Sequence, residues 1–174
     1  MKKIMSILLC MMICSMFSSC TNLQGNRINK LREISLRDES IAEQTLEEIL
    51  TGLEKKEKAE FKKMFSENAL NEIADMDQRI DFLFNYYKGV RSSYTEAAFG
   101  RTSMSSEEIL KIMQEYDVKT SEGEYILRFE VTAKDTDPEK VGINMIQICT
   151  ENDKETMIGG VDAVGLYIPG YQEK

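Results

Sequence analysis

Tyr94 and Glu96 are the two side chains in this sequence that are best suited to acid–base chemistry. They lie two positions apart in a segment with strand character, and alternate residues of a strand point to the same side of a sheet. A phenol and a carboxylate placed together in a cavity can move protons to and from a bound molecule. Asp81 is a second carboxylate that could serve Tyr94, although its position beside Ile80 predicts an orientation toward water.

Tyr87 is a candidate of a different kind, because it ends the apolar stripe of a predicted helix. Like Tyr94, it combines an aromatic ring with a hydroxyl, which suits the wall of a partly hydrated cavity. Both tyrosines would also suit ordinary core positions. We therefore take Tyr87, Tyr94 and Glu96 as candidate pocket-lining residues and assign no catalytic residue.

The chain contains no histidine, which excludes several kinds of site. A zinc site with two histidines, a Ser-His-Asp triad and a Cys–His pair all require an imidazole. Asp75, Asp77 and Asp81 lack the glycine and the twelfth-position glutamate of a calcium loop, and no glycine-rich phosphate loop occurs. We therefore predict no metal site and no cofactor.

Cys20 carries the clearest chemical signal in the sequence. Two lysines follow Met1, the uncharged segment Ile4–Phe17 comes next, and Cys20 stands directly after Ser18 and Ser19. The uncharged segment is shorter than the roughly 20 residues that cross a bilayer, so a cleaved secretory signal is the better interpretation. The arrangement resembles the lipoprotein signal of bacteria. That resemblance implies a signal peptide at residues 1–19 and a diacylglyceryl group on the thiol of Cys20.

The other cysteines and the net charge limit the kinds of partner that the mature chain can have. Cys10 and Cys14 would leave with the signal, so Cys149 has no cysteine to pair with and is expected to be a small buried apolar residue. The net charge of −8 argues against nucleic acid as a partner. We expect a protein that the lipid on Cys20 holds on the extracytoplasmic face of a cell membrane, with a small molecule or a protein as its ligand.

The helical part of the sequence precedes the strands. Residues 20–35 are polar and lack a helical period, so we predict a flexible tether, followed by a single domain over residues 36–174. Three helices with apolar stripes are predicted at the start of that domain. The first follows Asp38, the second is short and contains Phe61, and the third ends near Gly89.

Capping residues and charges fit this assignment. Ser66 and Asp75 are of the types that begin helices, and each precedes a predicted helical turn. Lysines between Lys55 and Lys63 alternate with Glu57 and Glu60, which predicts a hydrated helix face.

After these helices the spacing of apolar residues changes to the period of two that is typical of strands. The turn Ser121–Gly123 joins the two arms of a hairpin, of which the second alternates apolar and polar residues. Strands are predicted at residues 90–99, 116–120, 124–134, 141–150 and 164–168, with one more helix at 109–114. Helices followed by strands indicate an α+β fold, in which a curved antiparallel sheet packs around the N-terminal helices and leaves an apolar pocket between them.

Four segments carry a resemblance to a known family. They are Phe61–Ser66, Ile80–Phe84, Gly89–Tyr94 and Gly165–Pro169. The sequence resembles a family of lipoproteins from Gram-positive bacteria that is catalogued only as a domain of unknown function. That family is similar in fold to nuclear transport factor 2, a cone-shaped α+β scaffold that ketosteroid isomerase and scytalone dehydratase also use. The resemblance implies this fold over about residues 38–170 and provides no catalytic residues.

Three functions are compatible with these observations. The favoured hypothesis is a non-catalytic module that binds a small molecule or a protein. The first alternative is an isomerase- or dehydratase-like enzyme without histidine, which would use Tyr94 and Glu96 in a cavity, because an Asp and a Tyr perform acid–base chemistry in ketosteroid isomerase. The second alternative is a structural component of the cell envelope that forms a homodimer through its sheet face.

Overall fold

The computed structural model of this chain describes residues 30–97, 102–106, 108–156 and 164–171. The chain divides into two units, Met1–Ser40 and Ile41–Lys174. The predicted signal peptide at residues 1–19 and Cys20 lie outside the described residues. Residues 30–35, which we assigned to a flexible tether, are helical. The predicted boundaries at residues 20 and 36 stay predictions.

The first helix, α1, covers residues 30–55 and therefore includes the described part of the first unit. Within the second unit its apolar stripe is fully buried at Leu46, Ile49, Leu50 and Leu53, which is the spacing expected of a helix that packs on a core. Lys56 ends α1 in a left-handed conformation with φ of 56°. No helix among the described residues combines the length and the apolar character needed to cross a membrane.

Three shorter helices follow. They are α2 at Lys58–Lys62, α3 at Glu67–Glu72 and α4 at Met76–Tyr86. The predicted cap at Ser66 is confirmed, because its Oγ accepts a hydrogen bond of 3.1 Å from the N–H of Ala69. Asp75 occupies the N-cap position of α4 as predicted, but its side chain makes no capping hydrogen bond and its φ is 55°. The C-cap of α4 is Tyr87 rather than Gly89.

A six-stranded sheet follows among the described residues of the second unit, with 3-10 helices at Pro138–Lys140 and Glu151–Thr156. Its strands are β1 at Arg91–Glu96, β2 at Thr102–Ser105, β3 at Leu110–Thr120, β4 at Glu124–Lys134, β5 at Gly142–Cys149 and β6 at Gly165–Tyr167. The order is β1-β3-β4-β5-β6, and β2 also pairs with β3. All pairs are antiparallel except β5 with β6, which is parallel. The α+β prediction is confirmed.

The predicted helix at residues 109–114 is wrong, because these residues belong to β3 except for Ile109. Ser106 does accept hydrogen bonds from the N–H groups of Glu108 and Ile109, as a helix cap would, but the turn it forms leads into a strand. β3 pairs with β2 and β1 on one side and with β4 on the other. Pairing along both edges outweighs the local helical signal.

One face of the sheet packs on the helices of the second unit. Alternate residues of β4, namely Tyr125, Leu127, Phe129 and Val131, are buried in the same apolar cluster as the stripe of α1. Phe129 belongs to this cluster and has no exposed surface. The period of two that the sequence shows in β4 therefore marks its core side correctly.

Part of the second face of the sheet, on β4 and β5, is also buried. Ile126, Met145 and Cys149 are each at most 3% exposed and lie outside the core cluster. On the same face Arg128 donates from Nε to Oε2 of Glu115, with 2.9 Å between the two atoms. Met104 of β2 lies on the same face and is 50% exposed, so this face is not uniformly covered, and the predicted homodimer through it stays a prediction.

Candidate functional site: a groove between the first two helices

The second unit contains an open groove between α1 and α2, which we call the α1–α2 groove. Its volume is about 570 Å³, within the range of roughly 300–1,000 Å³ that is typical of small-molecule sites. The lining residues come from the last turns of α1, from the connection to α2, from α2 itself and from the segment just after it. They are Glu47, Glu48, Thr51, Gly52, Lys55, Glu57, Glu60 and Met64.

Gly52 allows the two helices to approach each other closely enough to form this groove. A Cβ atom at Gly52 would come within 2.5 Å of Cδ2 of Phe61 and within 3.3 Å of Cε of Met64. Phe61 in turn packs edge-on against Phe84 of α4, with 5.3 Å between the ring centroids. The position of α2 therefore depends on a residue without a side chain in the last turn of α1.

The walls of the groove carry four carboxylates and one lysine, Lys55. Oε2 of Glu47 lies 2.6 Å from the guanidinium of Arg91, and Oε1 of Glu60 lies 2.6 Å from Nζ of Lys63. Glu48 accepts a hydrogen bond of 2.9 Å from the neutral amide of Gln44.

Glu57 differs from the other groove carboxylates. It lies between Lys56 and α2, its side chain is exposed, and it has no side-chain hydrogen bond or ion pair among the described residues. It is therefore the groove carboxylate most available to a cationic ligand.

Tyr94 is half-buried on β1, and its ring packs edge-on against Tyr116 with 5.8 Å between the centroids. Burial raises the pKa of Tyr94, and the neighbouring Glu47 carboxylate raises the pKa further. The carboxylate next to the hydroxyl of Tyr94 is therefore Glu47. Glu96 is exposed and accepts a hydrogen bond of 3.0 Å from Nε2 of Gln114.

Tyr87 lies in the core, where it is 1% exposed. Its ring is 5.0 Å from that of Tyr125, and its hydroxyl has no hydrogen-bond partner among the described residues. Burial, followed by the charge of Glu54, raises the pKa of Tyr87 to about 12. Tyr87, Tyr94 and Glu96 do not line the α1–α2 groove, although the hydroxyl of Tyr94 interacts with Glu47, which does line it.

The sequence contains a signal for the groove in the same segment that predicts a hydrated helix face. Gly52 interrupts a strongly helical stretch, and a glycine at such a position often has a packing or functional reason. Glu47 and Glu48 precede it, and Glu57 and Glu60 follow it. This charged segment faces water as predicted, but the groove appears only when α2 folds back beside α1.

Metal binding requires several ligating side chains close together. No group of three or more Cys, Asp or Glu residues that could hold a metal ion occurs among the residues that the structure describes. The lysines of α2 instead form ion pairs with α4, where Nζ of Lys58 is 2.6 Å from Asp81 and Nζ of Lys62 is 2.9 Å from Asp77.

The sequence profile of a domain of unknown function, DUF5104, matches residues 48–151. The chain belongs to the DUF5104 family. The match begins within the groove at Glu48 and ends after β5, so the DUF5104 region contains seven of the eight groove residues and does not reach Cys20. No curated protein matches the chain. The prediction of a family of unknown function is confirmed, and its lipid anchor, its source and its scaffold type stay predictions.

Proposed function

We propose that this DUF5104 protein is a non-catalytic binding module that a lipid on Cys20 holds on the extracytoplasmic face of a Gram-positive cell membrane. Its ligand would lie in the α1–α2 groove. The observation that supports binding is an open groove of about 570 Å³ with charged walls and a backbone floor at Gly52. The lipid anchor is supported by the basic, apolar and small-residue pattern that ends at Cys20.

The same proposal includes the nuclear transport factor 2 scaffold. It is supported by the order of the elements, with four helices before the sheet and one sheet face packed on the helical apolar stripe. We prefer binding to catalysis because Tyr94 and Glu96 do not face each other across a cavity. Glu96 is exposed, whereas the hydroxyl of Tyr94 lies beside Glu47.

Replacing Cys20 by alanine is expected to release the protein from the membrane fraction. Each buried methylene of an acyl chain contributes about 0.8 kcal/mol to membrane binding, and stable attachment requires two such signals. The membrane-bound fraction should fall at least about tenfold, and intact-mass analysis should show no lipid adduct. Cys149→Ala is the matched control, because it removes a buried thiol and leaves Cys20 in place. Full membrane retention of the Cys20→Ala protein would contradict the anchor.

Replacing Thr51 by phenylalanine is expected to block the groove. Thr51 is half-buried in the groove wall, so an aromatic ring at this position fills the space that a ligand needs. We expect fragments from a library of charged, polar and apolar small molecules to shift the backbone amide NMR signals of Thr51 and Gly52. The affinity of these fragments should fall at least about tenfold in Thr51→Phe, which corresponds to about 1.4 kcal/mol.

Thr136→Phe is the control for this measurement, because it adds the same ring to an exposed turn away from the groove. If no fragment perturbs the groove amides, or if both variants bind equally well, the groove is not the binding site.

A further inference from the structure

We propose that the α1–α2 groove binds a small organic cation, in which an ammonium or guanidinium group is joined to a short apolar chain. This inference rests on the proposed binding function and adds the chemical class of the ligand. A volume of about 570 Å³ accommodates such a molecule, whereas a folded protein partner would require a much larger surface.

The charge of the groove favours a cation over an anion. Four of its eight lining residues are glutamates, and one is a lysine. The pair between Glu60 and Lys63 is 2.6 Å long, but both side chains are more than 60% exposed, so solvent screens it and a ligand can compete with it at low cost. Glu48 contacts only a neutral amide, and Glu57 has no side-chain partner among the described residues. These last two carboxylates are the ones that a bound cation would neutralise.

The carboxylates come from both walls of the groove. Glu48 belongs to α1. Glu57 is the N-cap residue of α2, and Glu60 lies within α2. An ammonium group has three N–H donors, and its hydrogen bonds to ionised acceptors are about twice as strong as neutral ones, so either wall offers it a favourable contact. Lys55 lies at the end of α1 and would repel a second positive group there.

The floor of the groove provides the contacts for an apolar chain. Gly52 exposes its backbone rather than a side chain, and Met64 is half-buried beside it. A methionine side chain is flexible and polarisable, so it adapts to aliphatic ligands of different shapes. A ligand with an apolar chain and a single cationic end therefore matches both the floor and the walls.

Three probes of the same length and different charge test this inference: hexylammonium, hexanol and hexanoate. Each is titrated into the purified protein while the amide signals of Thr51 and Gly52 are followed by NMR. We expect hexylammonium to bind about threefold to tenfold more tightly than hexanol, and hexanoate to bind most weakly. The advantage of hexylammonium should shrink when the ionic strength rises from about 0.01 M to 1 M, because the screening length falls from about 30 Å to 3 Å.

Glu48→Gln and Glu57→Gln keep the shape of the groove and remove one negative charge each. Each is expected to weaken hexylammonium binding about threefold and to leave hexanol binding unchanged. Glu122→Gln is the matched control, because Glu122 is exposed in the turn between β3 and β4 and does not line the groove. This variant should bind all three probes like the original protein.

Two results would overturn the inference. Hexanol or hexanoate binding at the groove as tightly as hexylammonium would refute a cationic ligand but leave the groove as a binding site. Failure of hexylammonium to shift the groove amides would also refute it, while the broader binding function would still be decided by the fragment library and Thr51→Phe.

Discussion

Replacing Gly142 by alanine is expected to lower the free energy of unfolding by about 3–5 kcal/mol. Gly142 begins β5 with φ of +129°, a conformation that is essentially restricted to glycine. A Cβ atom there would come within 2.7 Å of the backbone N of Ser66 and within 3.0 Å of the carbonyl carbon of Phe65. Because both contacts are with backbone atoms, no side-chain rotation can relieve them. Urea denaturation of the purified variant measures the loss.

Gly123→Ala provides a matched control for this prediction. Gly123 lies in the turn between β3 and β4, its φ is not positive, and an added Cβ would lie 3.8 Å from the hydroxyl of Tyr125, an ordinary contact. Its effect should be below about 1 kcal/mol. Equal stabilities of the two alanine variants would mean that the close contact between β5 and residues 65–66 does not exist in solution.

Replacing Glu115 by glutamine is expected to destabilise the protein by about 3 kcal/mol. Glu115 and Arg128 lie directly opposite each other on β3 and β4, and their side chains are 7% and 24% exposed. Without the carboxylate, the guanidinium would keep most of its burial but lose its ion pair with Glu115, and breaking such a pair costs more than the intact pair contributes. The double variant Glu115→Leu/Arg128→Met should recover most of the lost stability, since it replaces the charges with apolar groups of similar size.

The same hairpin contains an exposed pair for comparison. Lys119 and Glu124 also lie directly opposite each other, with 3.0 Å between Nζ and Oε1, but their side chains are 57% and 72% exposed. Glu124→Gln should therefore cost no more than about 1 kcal/mol. If Glu115→Gln costs as little as Glu124→Gln, the surroundings of Glu115 and Arg128 are open to water, as those of Lys119 and Glu124 already are.

The elements whose apolar period is regular were predictable from the sequence. The stripe of α1, the alternation in β4 and the turn Ser121–Gly123 appear in the structure where their patterns placed them. The first part of β3 was not predictable. Ser106 forms a local turn that resembles the start of a helix, and the strands that pair with β3 come from other parts of the chain. Local patterns do not contain information about pairing between distant strands.

The candidate site was less predictable than the fold for a similar reason. Tyr87 and Tyr94 were chosen by residue type, and that choice does not distinguish a core position from a cavity wall. Tyr87 is in the core, and Tyr94 has Glu47 beside it, a residue almost fifty positions earlier in the chain. The groove depends on the close contact between Gly52 of α1 and the ring of Phe61 of α2. The sequence of either helix alone does not predict this contact.

The close contact between β5 and residues 65–66 at Gly142 also couples the folding of the N-terminal helices to the folding of the sheet. Phe65 forms a parallel bridge with Ile143, and Oγ of Ser66, which caps α3, donates to Asn144 over a separation of 78 residues. The N-terminal helices therefore cannot complete their contacts until β5 has joined the sheet. Contacts between such distant residues slow folding and make it cooperative, so helices and strands of the second unit should gain and lose their protection from hydrogen exchange together.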